Sequence, residues 1–505
     1  CISVQDMATS NKLIAEIEGK GNFILNWTAK QFAALKRVLY HAEKEAEEIS
    51  MLGYQPDSGL FAFCNGVFDG QTFFQINSFG IIETPKGTFY IPALSSVNKN
   101  DRSEYIHERK FRYLNTPTPL IQWADLMCRA YGHNGRIGIC YLIAALFRDI
   151  VFDYLDCFPI LFLFGPPKTG KSTFRESLLS LFGIPQPAIS LGSSSSPKGF
   201  ARKLGQFANA LICFEEYKNT IKRPLIEMLK SMYDGIGYER AQTSNDNRTH
   251  ATLVNSAVIL GGQEMPTKEN ALFSRVLMLT FSKTKFDDGE KAAFRGLEEM
   301  ISAGLGNVLL EILRHREVVA AQFGFEFSTV YGHLRRDGKT NHLDERTLAN
   351  VAAILAPFRV LSGLLDFPFD YEAIYRLMRE KVIEQHDQMT KTSEVSEFWQ
   401  IIDSEEGQSF FRGTHYVVRG EHLYLDFNRA FKIYKEQAIK QQLNHLDKAT
   451  LESYLTMQPY FERPQGKGET DRLKSRVVME EGGPQRRCLK FRHESLDLDF
   501  IKTKT

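Results

Sequence analysis

Residues 160–173 decide the fold of the surrounding chain, and they read Ile160-Leu161-Phe162-Leu163-Phe164-Gly165-Pro166-Pro167-Lys168-Thr169-Gly170-Lys171-Ser172-Thr173. The apolar run at its start predicts a buried strand. The residues after it fit the pattern G-x-x-x-x-G-K-S, in which two glycines let the backbone curl until its N–H groups point at phosphates. A helical pattern follows over 173–182. The stretch therefore predicts a phosphate-binding loop between a strand and a helix, and the alternative is an ordinary strand–turn–helix corner.

Each position of this loop has an expected task. Lys171 would hold the terminal phosphates of a nucleotide, and Ser172 would complete the ligand shell of Mg²⁺. The whole predicted nucleotide-binding segment is Gly165, Pro166, Pro167, Lys168, Thr169, Gly170, Lys171, Ser172 and Thr173.

Composition places few limits on partners but excludes several classes of protein. The chain has 505 residues, 43% of them hydrophobic, and a net charge of +1, so any basic surface must be local. Its seven cysteines are scattered and form no C-x-x-C pair, which argues against structural zinc and a disulfide framework. The longest apolar run, 137–147, is about half a membrane span. We expect a cytoplasmic fragment without membrane contact, with room for residues upstream of Cys1.

Periodicity and turn residues divide the chain into five predicted regions. They are an α+β N-terminal region at 1–115, a helical collar at 116–157, the P-loop core at 158–285, a helical lid or subdomain at 286–390, and a tail at 391–505. Thr28 and Gln31 form a capping-box pattern at the start of a predicted helix over 28–49. The polar stretch around 389–396 marks the last predicted boundary. In the tail, two helices at 427–442 and 449–457 precede a hairpin formed by 476–479 and 488–491.

A second apolar strand, 210–214, ends in the carboxylates Glu215 and Glu216. We expect this strand to lie beside the P-loop strand, so that Glu215 supports the Mg²⁺ shell and Glu216 orients or deprotonates the attacking water. The alternative is a pair of solvated glutamates. A further apolar strand, 256–260, leads to Gln263, which we expect on the far side of the carboxylate strand as a sensor of the γ-phosphate.

Two basic elements accompany these strands. Segments 238–243 and 249–254 flank the turn 244–247 and predict a hairpin that carries Arg240, Arg248 and His250. Because it has almost no apolar side chains, it would project toward a polar partner, although a plain exposed hairpin is equally compatible. Arg275, before the strand 276–281, could serve as an arginine finger or as a solvated charge.

The ordered series of these motifs, together with Leu229-Lys230 before a glycine, the Gly261-Gly262-Gln263-Glu264-Met265-Pro266 strand end and Ser274-Arg275, resembles the AAA+ core of superfamily 3 helicases. It is most similar to the helicase modules of phages, plasmids and bacterial mobile elements, including those of primase-helicases, over roughly 115–285. The resemblance implies an α/β fold, in which an AAA+ P-loop ATPase core with a parallel doubly wound sheet is joined to a helical subdomain and a winged-helix C-terminal domain.

The resemblance also implies a mechanism. A ring, usually a homo-hexamer, would draw single-stranded DNA through its channel as ATP is hydrolysed. The catalytic residues would be Lys171, Glu215, Glu216, Gln263 and Arg275. Phosphate contacts would come from Arg240, Arg248, His250 and Lys230. Two residues depart from the usual pattern, since Glu215 stands where Asp is more frequent and Gln263 where Asn is common.

The tail offers another DNA contact. Nine Lys or Arg against four acidic residues lie between Arg463 and Arg492, and Arg486 and Arg487 are the candidates for phosphate binding in a wing. The leading hypothesis is an ATP-driven DNA helicase for replication of a phage or mobile element. A primase domain upstream of Cys1, or a separate primase or replication-initiation partner, fits this hypothesis. The alternatives are a DNA-stimulated AAA+ loader or a regulatory or defence module, and a small-molecule kinase.

Overall fold

The computed structural model describes residues 6–19, 21–42, 45–98, 105–192, 200, 203–241, 249–266, 270–282, 285–441, 443, 445–458, 460–463, 474–480, 483–493, 496 and 498–502. The chain divides into two compact units. One comprises Cys1–Glu264 and Arg275–Arg379, and the other comprises Met265–Ser274 and Glu380–Thr505. Within the described ranges, no helix is both long and apolar enough to cross a membrane.

The N-terminal region begins with helices and continues as short strands. Its elements are α1 (Ser10–Glu18), α2 (Ala29–Ala42), β1 (Glu47–Glu48), β2 (Leu52–Gln55), β3 (Leu60–Phe63), β4 (Gly66–Phe68), β5 (Phe73–Gln75), β6 (Ile81–Thr84) and β7 (Gly87–Tyr90). Strands β2 to β5 form an antiparallel meander, while β1 pairs in parallel with β7, which pairs with β6.

The predicted helix over 28–49 is correct at its start and wrong at its end. The Thr28 backbone N donates to Gln31 Oε1 at 2.8 Å, and the Gln31 backbone N donates to Thr28 Oγ1 at 3.3 Å, which is the predicted capping box. The helix ends at Ala42. Residues 47–48 instead pair with β7, because the ladder to that strand gives their backbone groups partners that helix periodicity cannot reveal.

Region 116–157, the predicted collar, contains three helices, α3 (Leu120–Tyr131), α4 (His133–Leu146) and α5 (Arg148–Leu155). Helices α4 and α5 meet at Phe147, whose backbone is not helical. Trp123 and Leu142 are buried, and Leu126 is half-buried. The Tyr141 hydroxyl lies 3.0 Å from the Pro159 carbonyl oxygen and 2.7 Å from the Val258 carbonyl oxygen, so its one proton is shared between two acceptors at the following sheet.

The P-loop core alternates strands and helices as predicted. Its elements are β8 (Ile160–Phe164), α6 (Lys171–Leu179), β9 (Ile189–Ser190), β10 (Phe207–Ala208), β11 (Leu211–Tyr217), α7 (Arg223–Tyr233), β12 (Ile236–Ala241), β13 (Thr249–Leu253), β14 (Ala257–Gly262), α8 (Asn270–Phe273) and β15 (Val276–Thr280). Five of these strands form a parallel sheet in the order β15-β8-β14-β11-β9. The sheet thus has an α/β, P-loop architecture.

The strand order corrects one expectation. The carboxylate strand β11 is not beside the P-loop strand β8, because β14 lies between them and pairs with both. Gln263 therefore follows a strand between the loop and the carboxylates, not one on the far side. A crossover connection can skip a position in a parallel sheet, so the order of strands along the chain does not determine their order in space.

Strand β10 belongs to a different sheet from its neighbours in the chain. It pairs in parallel with β2, with Phe207 opposite Leu52, and extends the N-terminal meander to five strands. Phe207 also stacks on Phe111 with ring centroids 4.8 Å apart. Gly53 has a φ of +97°, and a Cβ there would lie 1.9 Å from the Ala208 carbonyl oxygen. The close approach of the two strands thus requires glycine.

Long helices follow, α9 (Asp288–Ala303), α10 (Gly306–Leu313), α11 (Arg316–Arg336), α12 (Glu345–Leu361) and α13 (Tyr371–Ser404). Asp287 caps α9 in a full capping box with Glu290. Helix α13 runs through 389–396, so this polar stretch is helical rather than a linker. The segment 371–404 contains no glycine or proline to end the helix.

The remaining elements of the second unit are β16 (Tyr416–Arg419), β17 (His422–Leu425), α14 (Phe427–Lys440), α15 (Lys448–Thr456), β18 (Phe461–Glu462), β19 (Ser475–Val478), β20 (Gln485–Arg492) and α16 (Asp499–Lys502). The strands form an antiparallel sheet in the order β16-β17-β20-β18, and β19 pairs with β20. Both predicted helices and the predicted hairpin are thus present. Phe398, Tyr434 and Phe491 lie in the core beneath this sheet.

Candidate nucleotide site

The loop after β8 owes its shape to its glycines and to one lysine. Gly165 has a φ of +148°, and a Cβ there would lie 2.0 Å from the Phe281 carbonyl oxygen, so only glycine fits. Gly170 has a φ of +90° and precedes α6. Lys168 adopts a left-handed backbone with a φ of +63°. Thr169 Oγ1 donates to the Pro166 carbonyl at 2.9 Å and ties the loop to itself.

Lys171 lies across the loop that it follows. Its ammonium donates to the carbonyls of Gly165 and Pro166 at 2.6 Å each. Partial burial lowers its pKa from the ordinary value, since desolvation disfavours the charged form. Thr173 Oγ1 donates to the Gly170 carbonyl at 2.9 Å. The ammonium is therefore held within the loop, where it can exchange carbonyl oxygens for phosphate oxygens.

The two carboxylates at the end of β11 have different surroundings. Ser172 Oγ lies 3.5 Å from Glu215 Oε1, so the predicted Mg²⁺ ligands are brought together. Glu216 has a φ of +66°, and the pairing of β11 with β14 shifts register between Phe214 and Tyr217. A left-handed glutamate is uncommon and costs on the order of 1–3 kcal/mol. The bulge turns Glu216 toward β9, where the Ser190 hydroxyl donates to its Oε2.

Arg175 is a site residue that the sequence analysis missed. It follows Lys171 by one helical turn, is only 6% exposed, and its guanidinium pairs through Nη1 with Glu215 Oε1. Its Nη2 reaches Glu176 Oε1 at 3.0 Å. The available signal was its position on the inward face of α6, which also buries Phe174 and Leu178. A charged residue on an otherwise apolar face indicates a buried partner.

These groups line a cleft of about 650 Å³ at the carboxyl edge of the sheet. Gln263 and the end of β14 form one wall, which places the predicted sensor in the cleft. Phe286 and Phe294 line it as well, with ring centroids 5.4 Å apart. Loop N–H groups, an ammonium, a hydroxyl and carboxylates are the donor set that a magnesium–nucleotide complex requires. The residues therefore fit this ligand, and Ser172 and Glu215 would hold the metal.

Arg275 lies at the opposite edge of the same sheet. Strands β8 and β15 are parallel with Val276 opposite Ile160, so Arg275 is beside the amino end of β8 while the loop follows its carboxyl end. The Arg275 side chain lies 3.4 Å from Asp234 Oδ2, with its guanidinium over the Tyr233 ring. The structure thus does not bring Arg275 together with the P-loop of its own chain.

The predicted DNA-contact residues of the core lie on two elements. Arg240 and His250 are opposite each other on β12 and β13, which form the predicted hairpin. Arg248 lies outside the described residues. Lys230 is on α7, where its ammonium pairs with Glu227 at 2.8 Å and its side chain is 17% exposed. Lys230 is thus held against the core.

The tail candidates differ in their surroundings. Arg486 is partly buried, donates to the Thr414 carbonyl and lies 3.8 Å from Asp426. Arg487 is exposed and lies directly opposite Arg476, also exposed, across β19 and β20. Neither has an ion-pair partner among the described residues. Like charges at directly opposed positions destabilise a sheet, and exposure to solvent weakens this repulsion.

The chain resembles solved structures of helicase and ATPase proteins. The SCCmec type IV Cch protein, described as an active helicase, superposes with a TM-score of 0.51 at 15% identity, covering 98% of this chain and 89% of that chain. A provisionally assigned ATPase from Cytophaga hutchinsonii gives a TM-score of 0.29 at 13% identity over 51% of this chain and 86% of that one, which is too low to carry an argument. No family model matches the chain. No curated protein matches it either. The likeness to Cch concerns the fold alone, which in this chain is an α/β fold around a parallel five-stranded sheet.

Proposed function

We propose that this chain is an ATP-dependent DNA helicase of the superfamily 3 type, which forms rings, usually hexamers, and serves replication of a phage or mobile element in the cytoplasm. One observation carries the proposal: the P-loop and its carboxylates lie at one edge of the sheet, and the candidate arginine finger at the other. Such an arrangement suits a catalytic site completed by a neighbouring subunit.

The hydrolytic half of the proposal uses the residues of the cleft. The loop N–H groups and Lys171 bind and orient the phosphates of ATP. Mg²⁺, held by Ser172 and Glu215, would neutralise charge on the β- and γ-phosphates. Glu216 orients the attacking water and accepts its proton, and Ser190 fixes the direction of that carboxylate. The Gln263 amide, at the end of β14, contacts the γ-phosphate side of the site.

The distance between the two edges supports the proposed ring. Strand β8 has five residues, and a strand rises roughly 3.3 Å per residue, so about 16 Å separate its ends. Arg275 cannot cross the sheet to its own loop, but a neighbouring copy in a head-to-tail ring could present it there. To reach a neighbouring nucleotide, Arg275, whose side chain is 15% exposed, would have to leave its ion pair with Asp234 and its position over the Tyr233 ring.

DNA contact is assigned to two elements. The hairpin β12–β13 would touch phosphates of single-stranded DNA through Arg240, Arg248 and His250. The tail would act as a winged helix, with β19 and β20 as the wing. There the exposed Arg487 is better placed for phosphate binding than Arg486, which Asp426 already partners.

A subunit-mixing experiment tests the shared site. Lys171→Ala removes the loop ammonium and Arg275→Ala removes the finger, so each variant alone should hydrolyse no ATP, and Arg275→Ala should still bind nucleotide. Mixed at equal amounts, about a quarter of the boundaries in a ring would join an intact loop to an intact finger. ATPase activity should therefore reappear on mixing. If Arg275→Ala alone keeps full turnover, or mixing restores nothing, the shared-site model is wrong.

Unwinding is tested separately from hydrolysis. Replacing Arg240, Arg248 and His250 together by Ala should abolish displacement of a labelled strand from a forked duplex while basal ATP hydrolysis persists. Unchanged stimulation of the ATPase by single-stranded DNA in this variant would favour a loader or regulatory ATPase instead. Phosphoryl transfer to a metabolite by a monomer would favour a kinase.

A further inference from the structure

Arg175 is a buried charged residue to which the proposed ATPase mechanism assigns no role. A guanidinium that is 6% exposed has lost most of its hydration, and its Nε has no hydrogen-bond partner among the described residues. Such a buried charge persists only when a nearby carboxylate compensates it. The compensating groups are Glu215, whose side chain is 38% exposed, and Glu176, whose side chain is 48% exposed. The less exposed and more closely paired of the two is Glu215.

The same oxygen of Glu215 faces both Arg175 and Ser172. Arg175 Nη1 and Ser172 Oγ both approach Oε1, the serine at 3.5 Å. Arg175 thus holds the carboxylate beside the hydroxyl with which it would share a metal. At the same time, the guanidinium neutralises the charge that would attract a divalent cation. Glu216, the next carboxylate, is turned to Ser190 and does not replace it.

A metal ion that enters the cleft without a nucleotide therefore adds positive charge to a site that already holds cationic side chains. The cleft already contains the ammonium of Lys171, bound to carbonyls, and the guanidinium of Arg175, paired with Glu215. The lining of the cleft contains four cationic side chains, Lys168, Lys171, Arg175 and Lys218, and two carboxylates, Glu215 and Glu216, so a divalent cation would enter a site that already has an excess of positive charge. Nucleotide phosphates bring the missing negative charge, so metal and nucleotide should bind together rather than in turn.

We propose that Arg175 is a positioning residue that fixes Glu215 beside Ser172 and prevents a divalent cation from binding at this site without a nucleotide. The inference rests on the proposed nucleotide-binding function and concerns its order of assembly. Arg175 itself touches neither phosphate nor water in this scheme.

The test uses the full chain with Mn²⁺ alone, followed by electron paramagnetic resonance of free Mn²⁺ in the absence of nucleotide. Wild type should bind no Mn²⁺ in the cleft. Arg175→Met, which keeps the length of the side chain and removes its charge, should bind Mn²⁺ at least about tenfold more tightly than wild type. Arg175→Lys should behave like wild type because it keeps the charge. Glu176→Gln is the matched control, since it removes the exposed partner and leaves Glu215 untouched.

The double variant Arg175→Met with Glu215→Gln locates the effect. It should lose the new Mn²⁺ binding if Glu215 is the ligand that Arg175 had neutralised. If Arg175→Met fails to fold, as judged by thermal unfolding, Arg175→Gln supplies a smaller neutral replacement for the same titration. Mn²⁺ binding that is equal in wild type and a folded neutral variant would overturn the inference. Failure of the proposed function would look different, because wild type would then bind no fluorescent ATP analogue with or without metal.

Discussion

Gly165 is required in the loop both by its positive φ and by the lack of space for a Cβ, and replacing it by alanine should show how much each contributes. The new Cβ would lie 2.0 Å from the Phe281 carbonyl oxygen, whereas Cβ atoms in proteins essentially never come closer than 3.0 Å to such a neighbour. The φ of +148° is also strained for any L residue with a side chain. Backbone strain of this kind costs about 1–3 kcal/mol. Overpacking against a fixed group adds about 1–3 kcal/mol. The carbonyl cannot simply move, because the Phe281 backbone N donates to the Phe164 carbonyl at 2.7 Å.

The expected loss of unfolding free energy for Gly165→Ala is therefore about 2–6 kcal/mol, measured by thermal and denaturant unfolding. If the loop moves instead of the strand, the loss appears in nucleotide binding, with a fluorescent ATP analogue bound at least about tenfold more weakly. Gly170→Ala is the matched control. It has a φ of +90° but its nearest contact is 3.7 Å away, so it should lose only the strain contribution. Equal losses in the two variants, or wild-type behaviour of Gly165→Ala, would refute the steric argument.

Three further predictions concern other parts of the chain. Lys171→Ala should abolish phosphate release while the protein still unfolds at nearly the wild-type temperature, because the ammonium contacts only loop carbonyls; an active variant would contradict its role. Tyr141→Phe should lower the unfolding free energy by about 1–3 kcal/mol, since the buried carbonyls of Pro159 and Val258 lose the hydroxyl donor that they share; no change in a denaturant titration would contradict this. Lys490 and Arg492 lower the pKa of Glu462 from 4.5 to about 2, so its stabilising contribution is complete above pH 4.5 and is lost as the pH falls toward 2. Glu462→Gln should flatten the acid limb of thermal stability in that window, and an unchanged limb would show that other carboxylates set it.

The sequence predicts the chemistry of the site better than the arrangement of its strands. The loop 165–173 and the carboxylates after β11 are local patterns, because their glycine spacing and strand-end positions are fixed within a few residues. The position of β14 between β8 and β11 depends on the pairing of all the strands in the sheet, and the local sequence of β14 does not indicate it. Gln263 nevertheless lies in the cleft, since the carboxyl ends of all these strands meet at one edge.

Other features escape the sequence for related reasons. The sequence places Arg175 on the same helix face as Phe174 and Leu178, but a charged residue in a helix is ordinarily exposed, and the packing of α6 on the sheet is what establishes that Arg175 is buried. The predicted helix over 28–49 overran because its apolar spacing continued beyond Ala42, where pairing with β7 takes over. The strand β10 has two residues, too few for any periodic signal.

That short strand limits how modular the protein can be. Since Phe207–Ala208 complete the sheet of the first hundred residues while interrupting the polypeptide between the nucleotide loop and its carboxylates, neither piece can be excised cleanly. Removal of residues 1–115 would take β2 away from β10 in the P-loop core, and an N-terminal replacement would have to supply a strand that pairs with β10 in the same register. Recombination between such proteins should therefore exchange the N-terminal sheet and the P-loop core together. Substitutions on the paired strands β2 and β10 should likewise be coupled.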